Sequence, residues 1–113
     1  MNQQVATRLA LDSNTLTEVS QPVSMAGFNA AQWDATLYQI SGTTPKVSFQ
    51  LQVSNHLENW SDRGTAHDSG ASPESKLYTK ETGIAAAYCR LHYTLSGTSP
   101  KAVLAASINL STQ

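Results

Sequence analysis

Four stretches of the chain alternate apolar and polar residues with a period of two. Residues 47–54, VSFQLQVS, set Val47, Phe49, Leu51 and Val53 against Ser48, Gln50, Gln52 and Ser54. On a pleated strand all four apolar side chains then share one face, so a half-buried strand is expected. From Ala86 to Leu95 a second strand turns Ala87, Cys89, Leu91, Tyr93 and Leu95 inward and Tyr88, Arg90, His92 and Thr94 outward. A third, Ala102 to Leu110, has Ala102, Leu104, Ala106, Ile108 and Leu110 on its apolar face, and its small residues suit close packing on both sides.

The fourth stretch, Ala31 to Ile40, changes face partway. Either Trp33, Ala35 and Leu37 or Tyr38 and Ile40 point inward, and a β-bulge near Leu37 or Tyr38 reconciles the two. In the N-terminal third Val5, Thr7, Leu9 and Leu11 alternate, and TEVSQPVSM from Thr17 has the pattern of an edge strand interrupted by Pro22, which has no N–H to give a ladder. Residues 55–85 carry turn signals in SNHLENWSDRG, HDSGASPES and KETG, separated by short segments around Trp60 and around Leu77 and Tyr78. This gives seven or eight short strands and no helix of three turns. The expectation is an all-β fold, a single antiparallel β-sandwich of jelly-roll or Greek-key type over residues 1–113, with residues 1–25 an extended N-terminal arm or edge strands.

One hexapeptide occurs twice: SGTTPK at Ser41–Lys46 and SGTSPK at Ser96–Lys101. Gly supplies a backbone conformation that turns require, Pro fixes φ just before the next strand, and the hydroxyls satisfy loop backbone groups. Each copy follows an apolar strand end, Ile40 or Leu95, and precedes another strand. Two similar antiparallel hairpins are expected, with both loops near the same end of the sandwich.

Composition narrows the partners. Hydrophobic residues make up 40% of the 113 and charged residues only 13%, about half the usual quarter, with Ser, Thr, Asn and Gln in their place. A net charge of -1 and a pI near 6.2 create no field that gathers phosphates, so neither nucleic-acid binding nor a polybasic membrane contact is expected. Cys89, the only cysteine, excludes an intrachain disulfide and reads as a buried, inert thiol. The opening MNQQVATRLALDSN lacks a signal-peptide core, and no apolar run reaches the 18 or so residues of a membrane span, so the protein is expected to be made in the cytoplasm and not threaded through a membrane by its own signal.

General acids and bases are few. His56 lies in a turn, His67 precedes Asp68 in a loop and His92 is on an outward strand face, without zinc-protease spacing and without a nucleophile elbow, P-loop or dinucleotide fingerprint. No catalytic residues, metal ligands or cofactor-binding residues are assigned. His67, Asp68 and Asp62 read as solvated turn residues rather than a metal site, and Glu58, Asp62 and Asp68 are too few for calcium. Trp60, Trp33, Tyr78, Tyr88 and Tyr93 raise the idea of a sugar-stacking platform. The simpler expectation is that Trp60 folds back over the end of the core and donates its indole N–H to a loop carbonyl. Arg90 is expected to stack on Tyr88 or His92 or to pair with a carboxylate of the next strand.

Gln52-Val53-Ser54-Asn55 with Trp60, and Tyr88, Arg90 and Leu91, resemble paired strands of the discoidin-type β-sandwich. That family's terminal disulfide and ligand spikes have no counterpart here, so its membrane and glycan binding does not carry over. Across about residues 31–110 the chain is more similar to small bacteriophage virion proteins, which keep two SGT-x-P segments, an SN-x-x-x-NW turn and a YxRL strand in this order. It departs from them in His56-Leu57-Glu58, where Asp-Gly is usual, and in Ala87, where Arg is common.

The resemblance implies a non-enzymatic structural protein on the capsid surface of a virion. Most directly this is a head decoration (cement) protein that clamps the major capsid protein, often as a homotrimer at three-fold positions and without a cofactor. A tail or baseplate component, or a carbohydrate- or receptor-binding module, is the alternative. Contacts are expected from the N-terminal arm and from the loops at one end of the sandwich.

Overall fold

The computed structural model describes residues 2–113. Met1, the first residue of the expected domain, lies outside them. The chain is all-β and antiparallel, with β1 (Asn2–Leu11), β2 (Thr17–Val19), β3 (Val23–Ser24), β4 (Ala30–Ser54), β5 (Ser61–Asp68), β6 (Glu74–Leu77) and β7 (Tyr88–Ser111). They form one hydrogen-bonded sheet of order β1-β7-β4-β5, with β2 and β3 also on β7 and β6 also on β4.

Seven strands fall within the expected number, but two of them are not short: β4 has 25 residues and β7 has 24. Drawn out straight at about 3.3 Å per residue, β4 would run about 80 Å. The longest dimension of the molecule is 42 Å, so the strand bends. The aromatic rings locate the fold-over. Tyr78, whose N–H donates to the Trp33 carbonyl, has its ring 5.4 Å from that of Phe49, and Trp33 stands 5.7 Å from His67 beside Phe49. Residues far apart along β4 therefore meet across a shared core.

The sheet doubles into two leaves. One contains β1, residues 102–111 of β7, residues 30–40 of β4 and β6; the other contains β5, residues 47–54 of β4, residues 88–95 of β7, and β2 with β3. Alternation supplies the core. Trp33, Ala35 and Leu37, then Val47, Phe49 and Leu51, then Cys89, Leu91, Tyr93 and Leu95, and finally Ala102, Leu104, Ala106, Ile108 and Leu110 are all buried.

The change of face in β4 is a bulge at Tyr38. Leu37 pairs with Leu104 and Gln39 with the adjacent Val103, which leaves Tyr38 as the extra residue. Its side chain turns to solvent, and the Arg8 guanidinium sits 4.3 Å from its ring centroid. Past the bulge the parity shifts, and Ile40 returns to the core side, half-buried.

The two hexapeptides are not hairpin loops, which corrects the expectation from sequence. Residues 30–40 pair with 102–111 and residues 47–54 with 88–95, so strands joined by a hexapeptide do not pair with each other. The hexapeptides instead face one another inside the β4–β7 ladder, with Ser41 opposite Lys101, Thr43 opposite Thr98 and Lys46 opposite Ser96. Each is a corner at which the strand bends without reversing. Because both strands turn the corner together, the ladder survives on either side of it.

The two corners share their geometry. Gly42 and Gly97 have φ of 118° and 124°, Thr44 and Ser99 have φ of 48° and 49°, and Pro45 and Pro100 are both buried. The approach is close enough to demand glycine. A Cβ on Gly42 would stand 2.9 Å from Pro100 Cα and Thr98 O, and one on Gly97 would stand 2.9 Å from Thr43 O and 3.0 Å from Pro45 Cα.

Candidate functional site

The corner is the most distinctive surface that the repeated sequence builds. Ser41, Gly42, Thr43 and Thr44 from β4 lie beside Gly97, Thr98 and Ser99 from β7, all exposed, with Lys46 and Lys101 exposed at the edges. Pro45 and Pro100 are buried beneath it, and the Thr44 hydroxyl donates to the Thr43 carbonyl at 2.8 Å. The rim is thus rigid in its backbone, rich in hydroxyl groups and carries only the two lysine charges.

The two lysines differ. Lys46 Nζ contacts Asp68 Oδ2 at 3.2 Å, and this contact, with the Ser48 hydroxyl, holds the Asp68 carboxyl below its ordinary value. Lys101 lines a shallow cavity with Ala10, Leu11, Asp12, Gln39, Ser41 and Val103. The Asp12 carboxylate there accepts the N–H groups of Asn14 and Thr15. Neighbouring backbone donors already claim that carboxylate.

The three histidines occupy separate places. His56 Nδ1 accepts the N–H groups of Glu58 and Asn59 in the loop after β4, His67 packs against the Trp33 and Tyr78 rings, and His92 lies in β7 opposite Gln50. Among the described residues no group of three or more His, Cys, Asp and Glu could hold a metal ion. His67 and Asp68, expected in a loop, lie at the end of β5; Asp62 receives the Gln52 amide at 3.0 Å and Asp68 is engaged by Lys46.

The aromatic residues divide in the same way. Trp33, Tyr78 and Tyr93 are core residues, and burial pushes the Tyr78 hydroxyl up to about 12 and raises that of Tyr93 too. Those three rings are inaccessible to a sugar. Trp60 is half-buried at the loop after β4 and donates its indole N–H to the Leu57 carbonyl at 3.2 Å. The expected partner of Arg90 is corrected: its guanidinium lies 4.2 Å from the Trp60 ring centroid and its Nε donates to Gln52 Oε1, rather than stacking on Tyr88 or His92. The register of β7 against β4 explains this, because Arg90 stands directly opposite Gln52.

The loop joining β4 to β5 holds without an Asp-Gly pair. Ser54 Oγ accepts the N–H groups of His56 and Leu57, Asn55 Oδ1 accepts that of Ala87, and Leu57 adopts φ of 70°. The left-handed position that glycine fills at no cost is occupied here by leucine. Cys89 is fully buried, and desolvation pushes its thiol up to about 11.

Sequence reasoning missed the central feature. The identity of the two hexapeptides was visible, but nothing in either copy announces that the other is its neighbour. No family model matches the chain, and no curated protein matches it.

Proposed function

We propose that the chain is a non-enzymatic structural protein of a phage particle, a capsid decoration protein that binds the major capsid protein as a homotrimer and stabilises the shell. The observation that carries this reading is the shared rim. The two SGT-x-P segments on which the resemblance to small virion proteins rests come together as one exposed, nearly uncharged surface on a folded-over sheet. Hydroxyl and backbone groups on a rigid support suit a protein interface, which works through area and shape rather than a reacting centre. The dispersed histidines and the buried thiol accord with the same reading.

Co-sedimentation with mature capsids tests it. The wild-type chain is expected to bind at a fixed stoichiometry and to raise the temperature at which the shell opens, and the Lys46→Glu/Lys101→Glu double variant is expected to bind at least tenfold more weakly. Asp68→Asn, which frees Lys46 without reversing its charge, serves as the control and retains binding. Binding to tails and not to heads would move the assignment to a tail or baseplate component. Binding to a glycan, lost on Trp60→Ala, would replace it with a carbohydrate-binding module.

A further inference from the structure

The strand pairing has a regularity that the function above does not use. Dividing the chain at the loop between Ser54 and Ser61 gives a first half with β1, β2, β3 and β4 and a second half with β5, β6 and β7. All six ladders among the described residues join one half to the other. Within the first half the backbone contacts between residues are local turns, such as the bridge of Asp12 to Thr15 and the Phe28 N–H to the Met25 carbonyl.

The halves also correspond element by element. Residues 41–46 and 96–101 are the matching corners, 55 positions apart. β1 lies beside the end of β7 as β5 lies beside the end of β4, and β2 with β3 flank the start of β7 as β6 flanks the start of β4. Each leaf therefore alternates first half, second half, first half, second half. This is the arrangement of an intertwined two-fold dimer whose subunits are joined by one loop.

We infer that the chain is a fused, intertwined pseudo-dimer whose halves are exchangeable, so that the partner fitting its largest interaction surface is a second copy of this chain, with the first half of each copy completed by the second half of the other. The interface already exists inside the monomer, so the exchange needs no new contact. The connecting loop decides between the two forms. Residues 55–60 reverse the chain between Val53 and Ser61, which are paired, and do so with Leu57 in the left-handed region. A short hinge under strain favours exchange. The covalent link opposes it with an effective concentration on the order of millimolar, so the closed monomer predominates in dilute solution.

Two experiments on the full chain test this. In the first, a protease site is placed between the exposed Leu57 and Glu58, and the folded protein is cut there. The pieces are expected to remain one particle. After isotopically heavy and light cut preparations are unfolded together and refolded, native mass spectrometry is expected to show hybrid particles in statistical proportion. A piece that stays folded after separation from the other, or refolding without hybrids, overturns the inference.

In the second, deletion of Asn55–Trp60 leaves too few residues to reverse the chain. The variant is expected to refold as a particle of twice the mass of its own shortened chain, with native strand signal. A folded monomer overturns the inference. If the deletion variant does not fold, the cut-chain experiment decides alone.

Discussion

Gly42 and Gly97 carry the same burden at the residue scale, because each places its Cα against the backbone of the opposite corner at φ above 110°. Gly42→Ala and Gly97→Ala are each expected to cost about 2 kcal/mol or more, since the added methyl combines an unfavourable φ with contact against backbone that cannot swing away. Urea denaturation measures both. A difference between them of more than about 1 kcal/mol would contradict the equivalence of the corners. At Asp68 the folded carboxyl titrates below its ordinary 3.8, so its contribution is full above that value and is lost as pH falls through the lower folded value. Both side chains of the Lys46–Asp68 pair are half-exposed, so Asp68→Asn is expected to cost no more than about 1 kcal/mol at pH 7, a gap that closes as the pH of a denaturation series falls through the lowered folded value. Cys89, at about 11 and fully buried, is expected to resist a water-soluble thiol reagent in the native state and to react at the rate of a free thiol in denaturant.

The elements record where alternation is a sufficient guide and where it is not. A period of two identified the inward residues of β7 from Cys89 onward and of β4 at Val47, Phe49 and Leu51, but Ala87, expected inward, is exposed just before β7 begins; the break in the period at Leu37–Tyr38 is the bulge itself. Deletion of Tyr38 removes the extra residue and leaves Leu37 opposite Leu104 and Gln39 opposite Val103 in an unbroken ladder, with Leu37 and Ile40 still on the core side. It is expected to be tolerated about as well as Tyr38→Ala, which loses an exposed ring and its contact with Arg8, worth about 0.5–1 kcal/mol. Thermal unfolding of both variants checks this, and a much larger loss for the deletion would contradict a bulge confined to Tyr38. The hexapeptides misled at this scale for a definite reason: Gly followed by Pro marks a change of direction, and a reversal and a corner use the same residues. Which one forms depends on whether the partner strand bends at the same place, and that partner lies 55 residues away. Ser20 and Ser69 were invisible from sequence for a similar reason. They are buried, and their hydroxyls accept the N–H groups of Leu91 and Val47.

At the scale of the whole molecule, long-range pairing dominates, from Asn2 opposite Asn109 to Ala30 opposite Ser111. Such pairings require most of the loop-closure entropy before they yield contacts, so folding is expected to be slow, in the range of milliseconds to seconds or longer. Pulse-labelled hydrogen exchange is expected to find both halves gaining protection together, and early protection confined to one half would be inconsistent with a fold in which all six ladders of the described residues cross between them. The sequence by itself determined the class of the fold, most of the inward strand positions, a bulge near Leu37 or Tyr38 and the burial of Cys89, because each follows from local spacing and burial preference. Only the tertiary structure decided that the two hexapeptides are one corner, that Arg90 covers Trp60, and that the strands of the two halves alternate through both leaves. Those facts depend on which distant segments meet, and residue spacing along a chain holds no measure of that distance.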